Sequence, residues 1–300
     1  MVEINTGKLI NMIKEHPESA DQLLYPGKQL CDFDETKLKV DILPSGFPGL
    51  DRKYVLKRGR GELVIIGARP GIGKSGLGFQ IATNIAKWGK AHIFSLEMDH
   101  ESVVARQIAA IMGRPIDYVQ SGGTTNEEVI RVKSELSKFN CVIDDRAGLN
   151  VYQICDAARM QNKKSKTDII IVDYLQIVSV DKSDYSRAVA LGRVSSELKN
   201  LAKELRIPVI ALSQLNRASE VRDAKTGQTK NELPSMSQLK ESGNLEQDAD
   251  VVLLIHRPKD IQTSVKVIVD KNRNGPTGEV NMRFAPAQCK FIDEEEGDLG

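Results

Sequence analysis

Short apolar runs alternate with longer stretches of helical spacing along most of the chain. From residue 62 onward, several runs are almost continuously apolar, which is typical of parallel strands covered on both faces: ELVIIG, AHIFSL, CVID, DIIIV, PVIALS and DVVLLI. The stretches between them repeat apolar residues at the helical period, as in SGLGFQIATNIAKW, EEVIRVKSELSKF, VYQICDAARM and AVALGRVSSELKNLAKEL. This alternation predicts an α/β domain with a mainly parallel central sheet.

The two ends of the chain depart from this pattern. SVKVIVD and EVNMRF, joined by the turn-rich KNRNGPTG, predict a C-terminal antiparallel hairpin added to the sheet. Near the start, NTGKLINMIKEH carries Leu9, Ile10 and Ile13 on one side and predicts a short amphipathic helix. Because so short a helix is marginal by itself, it must dock on its own chain or on a neighbouring subunit.

These patterns divide the chain into three parts. Residues 1–40 form an N-terminal arm, residues 41–292 form the α/β domain, and residues 293–300 form an acidic tail. Before the first buried strand, SGFPGLD predicts a turn. Inside the domain, the polar stretches 179–187 and 218–235 are candidate mobile loops.

Composition narrows the class of protein without selecting a function. The 300 residues are 40% hydrophobic and 28% charged, the balance of a soluble globular protein. Lys plus Arg (42) nearly equals Asp plus Glu (41), so any nucleic-acid site must be local. The four cysteines form no metal or disulfide pattern, and no apolar run approaches the ~18 residues of a membrane span. We therefore expect a cytoplasmic protein that makes no membrane contact.

A phosphate-binding loop is the strongest chemical signal in the sequence. The strand ELVIIG runs into ARPGIGKS and then into a helix, a context that separates such a loop from an ordinary glycine-rich turn. Gly71 and Gly73 allow backbone N–H groups to curl around phosphate oxygens. Lys74 is expected to neutralise the β- and γ-phosphates, and the Ser75 hydroxyl to bind Mg²⁺. The predicted nucleotide-binding residues are Ala68, Arg69, Pro70, Gly71, Ile72, Gly73, Lys74 and Ser75.

Polar residues at the ends of other strands extend this site. Asp173 ends the run DIIIV and is either a cap or the carboxylate that holds Mg²⁺ through water. A catalytic base is expected on a strand beside the P-loop strand, and Glu97 ends the next strand along the chain. Gln214 follows PVIALS and could sense the γ-phosphate. Lys271 and Arg273 lie at alternate positions, hence on one side, and are either solvated turn charges or cations aimed at a phosphate.

In order and spacing these motifs resemble the C-terminal ATPase domain of the DnaB family of replicative helicases, a branch of the RecA-like motors. The matching segments are ARPGIGKS, FSLEM, IVDYLQIV, ALSQLNR, LKESGNLEQDADVVLLIHR and KNRNGPTG. The resemblance covers about residues 44 to 285. The general phosphate-binding motif has its first glycine at position 68, and the family, like this chain, carries alanine there. It implies a RecA-like P-loop NTPase core in a hexameric ring that hydrolyses ATP with Mg²⁺ and moves 5′ to 3′ on single-stranded DNA.

The same resemblance implies roles for residues of the chain's own site. Lys74 and Ser75 correspond to the phosphate and Mg²⁺ ligands, and Asp173 corresponds to a further Mg²⁺ ligand. Glu97 corresponds to the catalytic base and Gln214 to the γ-phosphate sensor.

Other implied roles fall outside that site. Lys271 and Arg273 match a basic pair supplied in trans, with Arg273 as an arginine finger in the neighbouring site. The family's DNA contacts correspond to Lys240, Glu241 and Gly243. Lys240 stands where relatives often have arginine, so phosphate contact should persist with less directional definition.

The N-terminal part departs from the cellular members of the family. Those proteins carry a collar domain and a linker helix, whereas fewer than about 50 residues precede this ATPase core. Residues 5–15 are a candidate remnant of the linker helix, and the short chain is typical of a phage or plasmid helicase or of a truncated one. Primase, loader and polymerase are implied partners, and the primase and loader interactions of the cellular members are tied to the collar.

Two alternatives stay open at this point. One is a RecA-, RadA- or KaiC-like ATPase that binds DNA or protein without unwinding. The other is a non-motor decoy subunit that joins and inactivates a host helicase ring. The motifs KNRNGPTG and KESGNLEQDAD favour the helicase branch over the first, and the retained catalytic residues argue against the second.

Overall fold

The structure is a computed structural model that describes residues 41–179, 186–215, 233–242, 245–258 and 263–294, without the side chains of residues 240–242. The chain separates into a unit of residues 1–39 and a unit of residues 40–300, and the described residues belong to the second. The predicted N-terminal helix lies outside the described residues, as do most of both polar stretches and residues 295–300 of the acidic tail.

A nine-stranded sheet forms the centre of the described domain, in the order β11-β10-β9-β8-β3-β7-β6-β4-β5. The strands from β8 to β5 in this order are parallel, and β9, β10 and β11 continue the sheet as an antiparallel extension. A separate antiparallel pair is formed by β1 (Asp41–Leu43) and β2 (Leu56–Arg58). The strands of the large sheet are β3 (Leu63–Ala68), β4 (Ala91–Ser95), β5 (Cys141–Asp144), β6 (Ile169–Asp173), β7 (Val209–Gln214), β8 (Val251–His256), β9 (Ser264–Asn272), β10 (Gly278–Ala285) and β11 (Lys290–Asp293).

Helices connect the parallel strands and begin where the sequence supplies caps. The Asp99 and Ser186 side chains each accept a backbone N–H from the first turn of the following helix. Thr125 and Asn150 form capping boxes with the residues three positions later. The helices are α1 (Pro48–Lys53), α2 (Lys74–Ala86), α3 (His100–Met112), α4 (Ile116–Gln120), α5 (Asn126–Leu136), α6 (Val151–Lys164), α7 (Arg187–Leu205) and α8 (Leu245–Asp248). Within the described ranges, no helix combines the length and apolar character needed to cross a membrane.

Strands β3, β4, β6, β7 and β8 are buried on both faces of the sheet, which explains their continuous apolar runs. Along β3, Val64 and Ile66 belong to the core cluster that contains the apolar side of α2. Leu63 and Ile65 alternate with them and belong to the cluster built with α6 and α7. Because neither face of these five strands meets water, they do not alternate apolar with polar residues.

The predicted α/β class, the parallel strands and the C-terminal hairpin are confirmed. The turn predicted for SGFPGLD is confirmed only at its start, where the chain bends at Gly46 with φ 82°. Pro48 already occupies the first helical position of α1, because its fixed φ suits a helix start. Asp293, assigned above to the acidic tail, is the last residue of β11. It is 1% exposed, and the Gly49 backbone N–H donates to its Oδ2 at 2.6 Å. Helices α3, α4 and α8 and strands β1, β2 and β11 were not predicted.

Candidate active site

The carboxyl ends of β3, β4 and β7 surround a cleft of ≈ 340 Å³. Of the predicted residues, Lys74, Ser75, Glu97 and Gln214 line this cleft together with most of the P-loop. The expectation that Glu97 follows a strand beside β3 is wrong, because β7 and β6 lie between β3 and β4. Glu97 nevertheless reaches the cleft, since the carboxyl ends of parallel strands share one edge of the sheet.

The P-loop backbone needs glycine at two positions and not at the first. Gly71 has φ 73° and Gly73 has φ 108°, values that L side chains rarely adopt. Ala68 is instead the last residue of β3, fully buried and paired in register with Gln214 and Ile255. An extended strand residue carries a Cβ without strain, so alanine is compatible with a working loop at position 68.

The surroundings of these two glycines predict different costs for a methyl group. At Gly73, a Cβ would lie 3.0 Å from ring carbons of Phe284 and Phe291, whereas at Gly71 it would meet no atom of the described residues within 4 Å. We expect Gly73→Ala to lower the free energy of unfolding by about 2–4 kcal/mol, from backbone strain plus overpacking. The matched Gly71→Ala variant adds strain alone and should lose about 1–2 kcal/mol. Urea unfolding without nucleotide measures both, and equal losses would contradict the predicted crowding at Gly73.

Lys74, on the wall of the cleft, forms an ion pair with Asp173, which does not itself line the cleft in the described part of the chain. The Nζ atom of Lys74 lies 2.6 Å from Oδ1 of Asp173, and Asp173 is fully buried. The same ammonium lies 4.2 Å from the centre of the Tyr174 ring, a cation–π contact. An ammonium has three donors, so Lys74 can keep its carboxylate contact and still donate to an anionic ligand in the cleft.

Asp173 has the chemistry expected of a magnesium ligand. Its second oxygen, Oδ2, is buried and has no hydrogen-bond partner among the described residues. A buried charged oxygen without a partner is costly, and Mg²⁺ or a water bound to it would satisfy that oxygen. Ser75 supplies a hydroxyl on the wall of the same cleft. These two residues therefore fit the metal that accompanies nucleoside triphosphates.

Glu97 is presented by a turn that is fixed to the end of β6. The backbone N–H of Leu96 donates to the Asp173 carbonyl at 2.8 Å, and the Ser95 hydroxyl donates to the Met98 carbonyl at 2.7 Å. Glu97 itself is exposed. Burial, then the negative charges of Glu97 and Asp173, raise the pKa of Tyr174. The Glu97 carboxylate is thus held beside the cleft but remains open to solvent, as a base that activates water must be.

Gln214 lies directly beside the start of the P-loop and is braced by Gln176. Its backbone N–H donates to Gln176 Oε1 at 3.2 Å, and Gln176 Nε2 donates to the Ser213 hydroxyl at 3.0 Å. The N–H of Leu215 donates to the Ala68 carbonyl at 2.9 Å, which ties the end of β7 to the P-loop. The exposed Gln214 side chain can respond to a ligand in the cleft while its backbone stays in place.

Several residues that sequence reasoning missed also line the cleft. Arg106 projects from α3, and its Nη1 donates to Cys289 Sγ at 3.6 Å. Phe284, Pro286 and Cys289 come from the end of β10 and the turn before β11. The helical spacing of ESVVARQIAAIM and the Asp99 cap could have located Arg106. The other three approach the P-loop only through tertiary packing, which leaves no local signal.

Lys271 and Arg273 lie at the opposite edge of the sheet from the cleft. Strand β9 runs antiparallel to β8, so its C-terminal end lies beside the start of β8, where Val251 pairs with Asn272. Strand β3 rises about 16 Å from this edge to the P-loop. Arg273 therefore lies far from the chain's own P-loop. Burial and the nearby Arg273 charge lower the pKa of Lys271.

The predicted DNA-contact residues are only partly described. Lys240 and Glu241 belong to a 3₁₀ turn, Met236–Ser242, of which the final side chains are not described. Gly243 lies outside the described residues. The turn is followed by α8 and then by β8, so it is joined by a short path to the edge that carries Arg273.

A mainly parallel sheet with a P-loop after β3 and a carboxylate at the end of β6 defines a RecA-like P-loop NTPase core. The chain belongs to the family described as the DnaB-like helicase C terminal domain, whose sequence model matches residues 43–293. The predicted family is therefore confirmed.

Relatives and solved structures agree with this membership. The replicative DNA helicase DnaC of Bacillus subtilis is 36% identical over 271 residues, which is 86% of this chain and 58% of that protein. A probable plasmid replicative DNA helicase of Chlamydia trachomatis is 35% identical over 88% of this chain and 58% of its own length. The chain thus spans somewhat more than half the length of the curated relatives it matches.

Two solved structures share the fold. One is a separately solved ATPase domain, which superposes with a TM-score of 0.75 at 29% identity, covering 94% of this chain and 98% of that one. The other is a DnaB-like replicative helicase whose structure concerns its interactions with primase. It has a TM-score of 0.74 at 27% identity, covering 96% of this chain and 74% of that one.

Proposed function

We propose that this chain is the ATPase motor of a replicative DNA helicase, which hydrolyses ATP with Mg²⁺, moves 5′ to 3′ along single-stranded DNA and unwinds duplex. The observation that carries the proposal is the separation of two sets of catalytic groups. Lys74, Asp173 and Glu97 meet at the carboxyl edge of the sheet, whereas Arg273 lies at its amino edge. Family membership supports the same conclusion.

The residues at the cleft have different roles in phosphoryl transfer. P-loop N–H groups and Lys74 bind and orient the phosphates, and Glu97 accepts a proton from the attacking water. Ser75 and Asp173 would hold Mg²⁺, which neutralises charge on the phosphate oxygens when bound. Gln214, beside the P-loop, is the sensor of the γ-phosphate.

The second set of groups acts on a neighbouring copy of the chain. Arg273 has about half of its side chain exposed, at an edge that the chain's own nucleotide cannot reach. In a closed ring of identical subunits, this edge of one subunit meets the cleft of the next. Arg273, with Lys271 beside it, then stabilises the charge that develops on the transferred phosphoryl group. A hexamer is the ring that we propose.

DNA binding is local, as the balanced charge of the chain requires. Lys240, Glu241 and Gly243 form the proposed contact loop, and Lys240 repeated around a ring supplies a basic path for a phosphate backbone. Primase, a loader and a polymerase are proposed partners, and the proposed setting is the cytoplasm of a bacterium or an infected host.

The rate of ATP hydrolysis, with and without single-stranded DNA, tests the enzymatic part of the proposal. It should be measured at protein concentrations where light scattering detects rings, with Lys74→Ala as the inactive control. We expect hydrolysis in the natural chain, stimulation by DNA and no activity in the control. Rings that bind DNA without hydrolysing ATP would favour the decoy alternative and reject the motor.

A further inference from the structure

Asp250 is a buried carboxylate at the amino edge of the sheet, just before β8. It is 4% exposed, and its Oδ2 accepts the Leu63 backbone N–H at 2.8 Å and a hydrogen bond from Lys199 Nζ. Its own backbone N–H donates to the Leu63 carbonyl at 2.9 Å. The carboxylate is thus fixed by the start of β3 and by α7, both rigid parts of the core.

Further contacts of Asp250 go to Arg273. The Arg273 backbone N–H donates to the Asp250 carbonyl at 2.9 Å, and its Nη1 lies 3.4 Å from Asp250 Oδ1. Helix α8 provides a further contact, because the Gln247 carbonyl accepts a hydrogen bond from Arg273 Nη2 at 3.0 Å. Lys271 Nζ donates to the next carbonyl upstream, that of Glu246, at 2.6 Å. The arginine is therefore held at its backbone and at both terminal nitrogens.

This arrangement positions the guanidinium without neutralising it. A guanidinium has five N–H donors. The contacts to Asp250 Oδ1 and to the Gln247 carbonyl use one donor on each terminal nitrogen. About half of the Arg273 side chain is exposed, so donors remain for an anionic ligand. Lys199 is the closer and more buried partner of Asp250, with a side chain that is 12% exposed. The charge of the carboxylate is largely balanced by Lys199, and Arg273 keeps its own charge for a ligand.

We infer that Asp250 is a positioning residue for Arg273: it holds the trans-acting guanidinium in the geometry needed by the neighbouring subunit's site. The inference rests on the proposed function, because Arg273 has this role only in a shared site. A group that must contact a transition state loses rate when it is free to rotate, and fixing it in advance removes that loss. Asp250 itself touches no substrate.

Asp250→Asn is the test variant, since it keeps the shape and removes the charge. We expect the turnover number for ATP to fall about 10-fold and the KM to stay within about 2-fold, because the P-loop of each subunit is untouched. Asp250→Asn with Lys199→Met avoids an unpaired buried ammonium and should show the same loss. Asp168→Asn is the matched control. Asp168 is also a buried carboxylate, which accepts a backbone N–H from Lys90 at 2.6 Å and pairs with Arg58 at 2.9 Å, remote from Arg273.

Mixed rings separate positioning from a general loss of structure. Asp250→Asn subunits mixed with Lys74→Ala subunits should recover activity, because some interfaces combine an intact P-loop with an intact Arg273 edge. Asp250→Asn mixed with Arg273→Ala should recover no activity above that of either variant alone, because the edge that carries Arg273 is defective in every subunit. Recovery with Arg273→Ala but not with Lys74→Ala would mean that Asp250 acts on the P-loop of its own subunit through β3. That result would overturn the inference.

Two further outcomes have a defined meaning. Lys74→Ala mixed with Arg273→Ala is the reference mixture, and its failure to recover would remove the shared site and the inference together. If the reference recovers but Asp250→Asn with Lys74→Ala does not, only the positioning role is rejected. Thermal unfolding of each variant identifies a loss of fold, and a variant that loses turnover in proportion to its folded fraction would also contradict the inference.

Discussion

Replacing Arg273 with alanine is expected to lower ATP turnover of the assembled ring by about 10³-fold or more, the range measured for arginine fingers. The affinity of each subunit for nucleotide should change little, because Arg273 lies at the far end of β3 from its own P-loop. Steady-state hydrolysis and binding of a fluorescent nucleotide measure the two quantities. Lys266→Ala is the control: it removes a cation from β9, the strand that Arg273 directly follows, and this cation is paired with Glu279 at 2.8 Å.

Mixing experiments test whether Arg273 acts on the neighbouring subunit. Rings that combine Arg273→Ala with Lys74→Ala subunits contain some interfaces with both groups intact, so turnover should exceed that of either variant alone. If no ratio of the two variants recovers activity, Arg273 does not complete a shared site. A loss of nucleotide affinity in isolated Arg273→Ala subunits would argue instead for a role in the fold.

Replacing Glu97 with glutamine should lower the turnover number by about 10²–10⁴-fold while nucleotide still binds. The amide keeps the size of the side chain and its place in the turn after β4, but it cannot accept a proton from water. Glu101→Gln is the matched control, because Glu101 is an exposed residue of α3 whose carboxylate lies 3.7 Å from the ring of the neighbouring His100. Turnover of Glu97→Gln within about 5-fold of the natural chain would show that another group is the base.

Steady-state kinetics distinguish a chemical defect from a binding defect. In Glu97→Gln, the KM for ATP should remain close to the natural value, since Lys74 and the P-loop hold the phosphates. A rise in KM with an unchanged turnover number would mean that Glu97 contributes to binding, and the assignment of the base would fail.

The parts of the fold that sequence could predict are those with a local physical cause. Continuous apolar runs such as DIIIV indicate strands buried on both faces. Strand β6 consists of the four apolar residues of that run and the aspartate that follows them. The glycines at 71 and 73 are required by positive φ angles, which a sequence motif records directly. Ala68 departs from the general motif because that position belongs to a strand, where a Cβ is tolerated.

The parts that could not be predicted depend on contacts between distant segments. Two strands separate β4 from β3, and nothing within the run AHIFSL specifies that order. Strand β11 is held by the Gln80 side chain, which bonds both the N–H and the carbonyl of Phe291 at 2.8 and 2.9 Å. Likewise, the pairing of Asp250 with Arg273 joins residues 23 positions apart across the β8–β9 hairpin. Such contacts exist only in the folded chain.

Unwinding of a forked DNA duplex is the decisive measurement for the motor function. The substrate should carry either a 5′ or a 3′ single-stranded tail on the strand that enters the ring, and strand separation should be followed with ATP at protein concentrations where rings form. We expect ATP-dependent unwinding of the fork with the 5′ tail and none with Lys74→Ala. ATP hydrolysis without unwinding would contradict a helicase and favour a RecA-like ATPase that binds DNA without separating its strands.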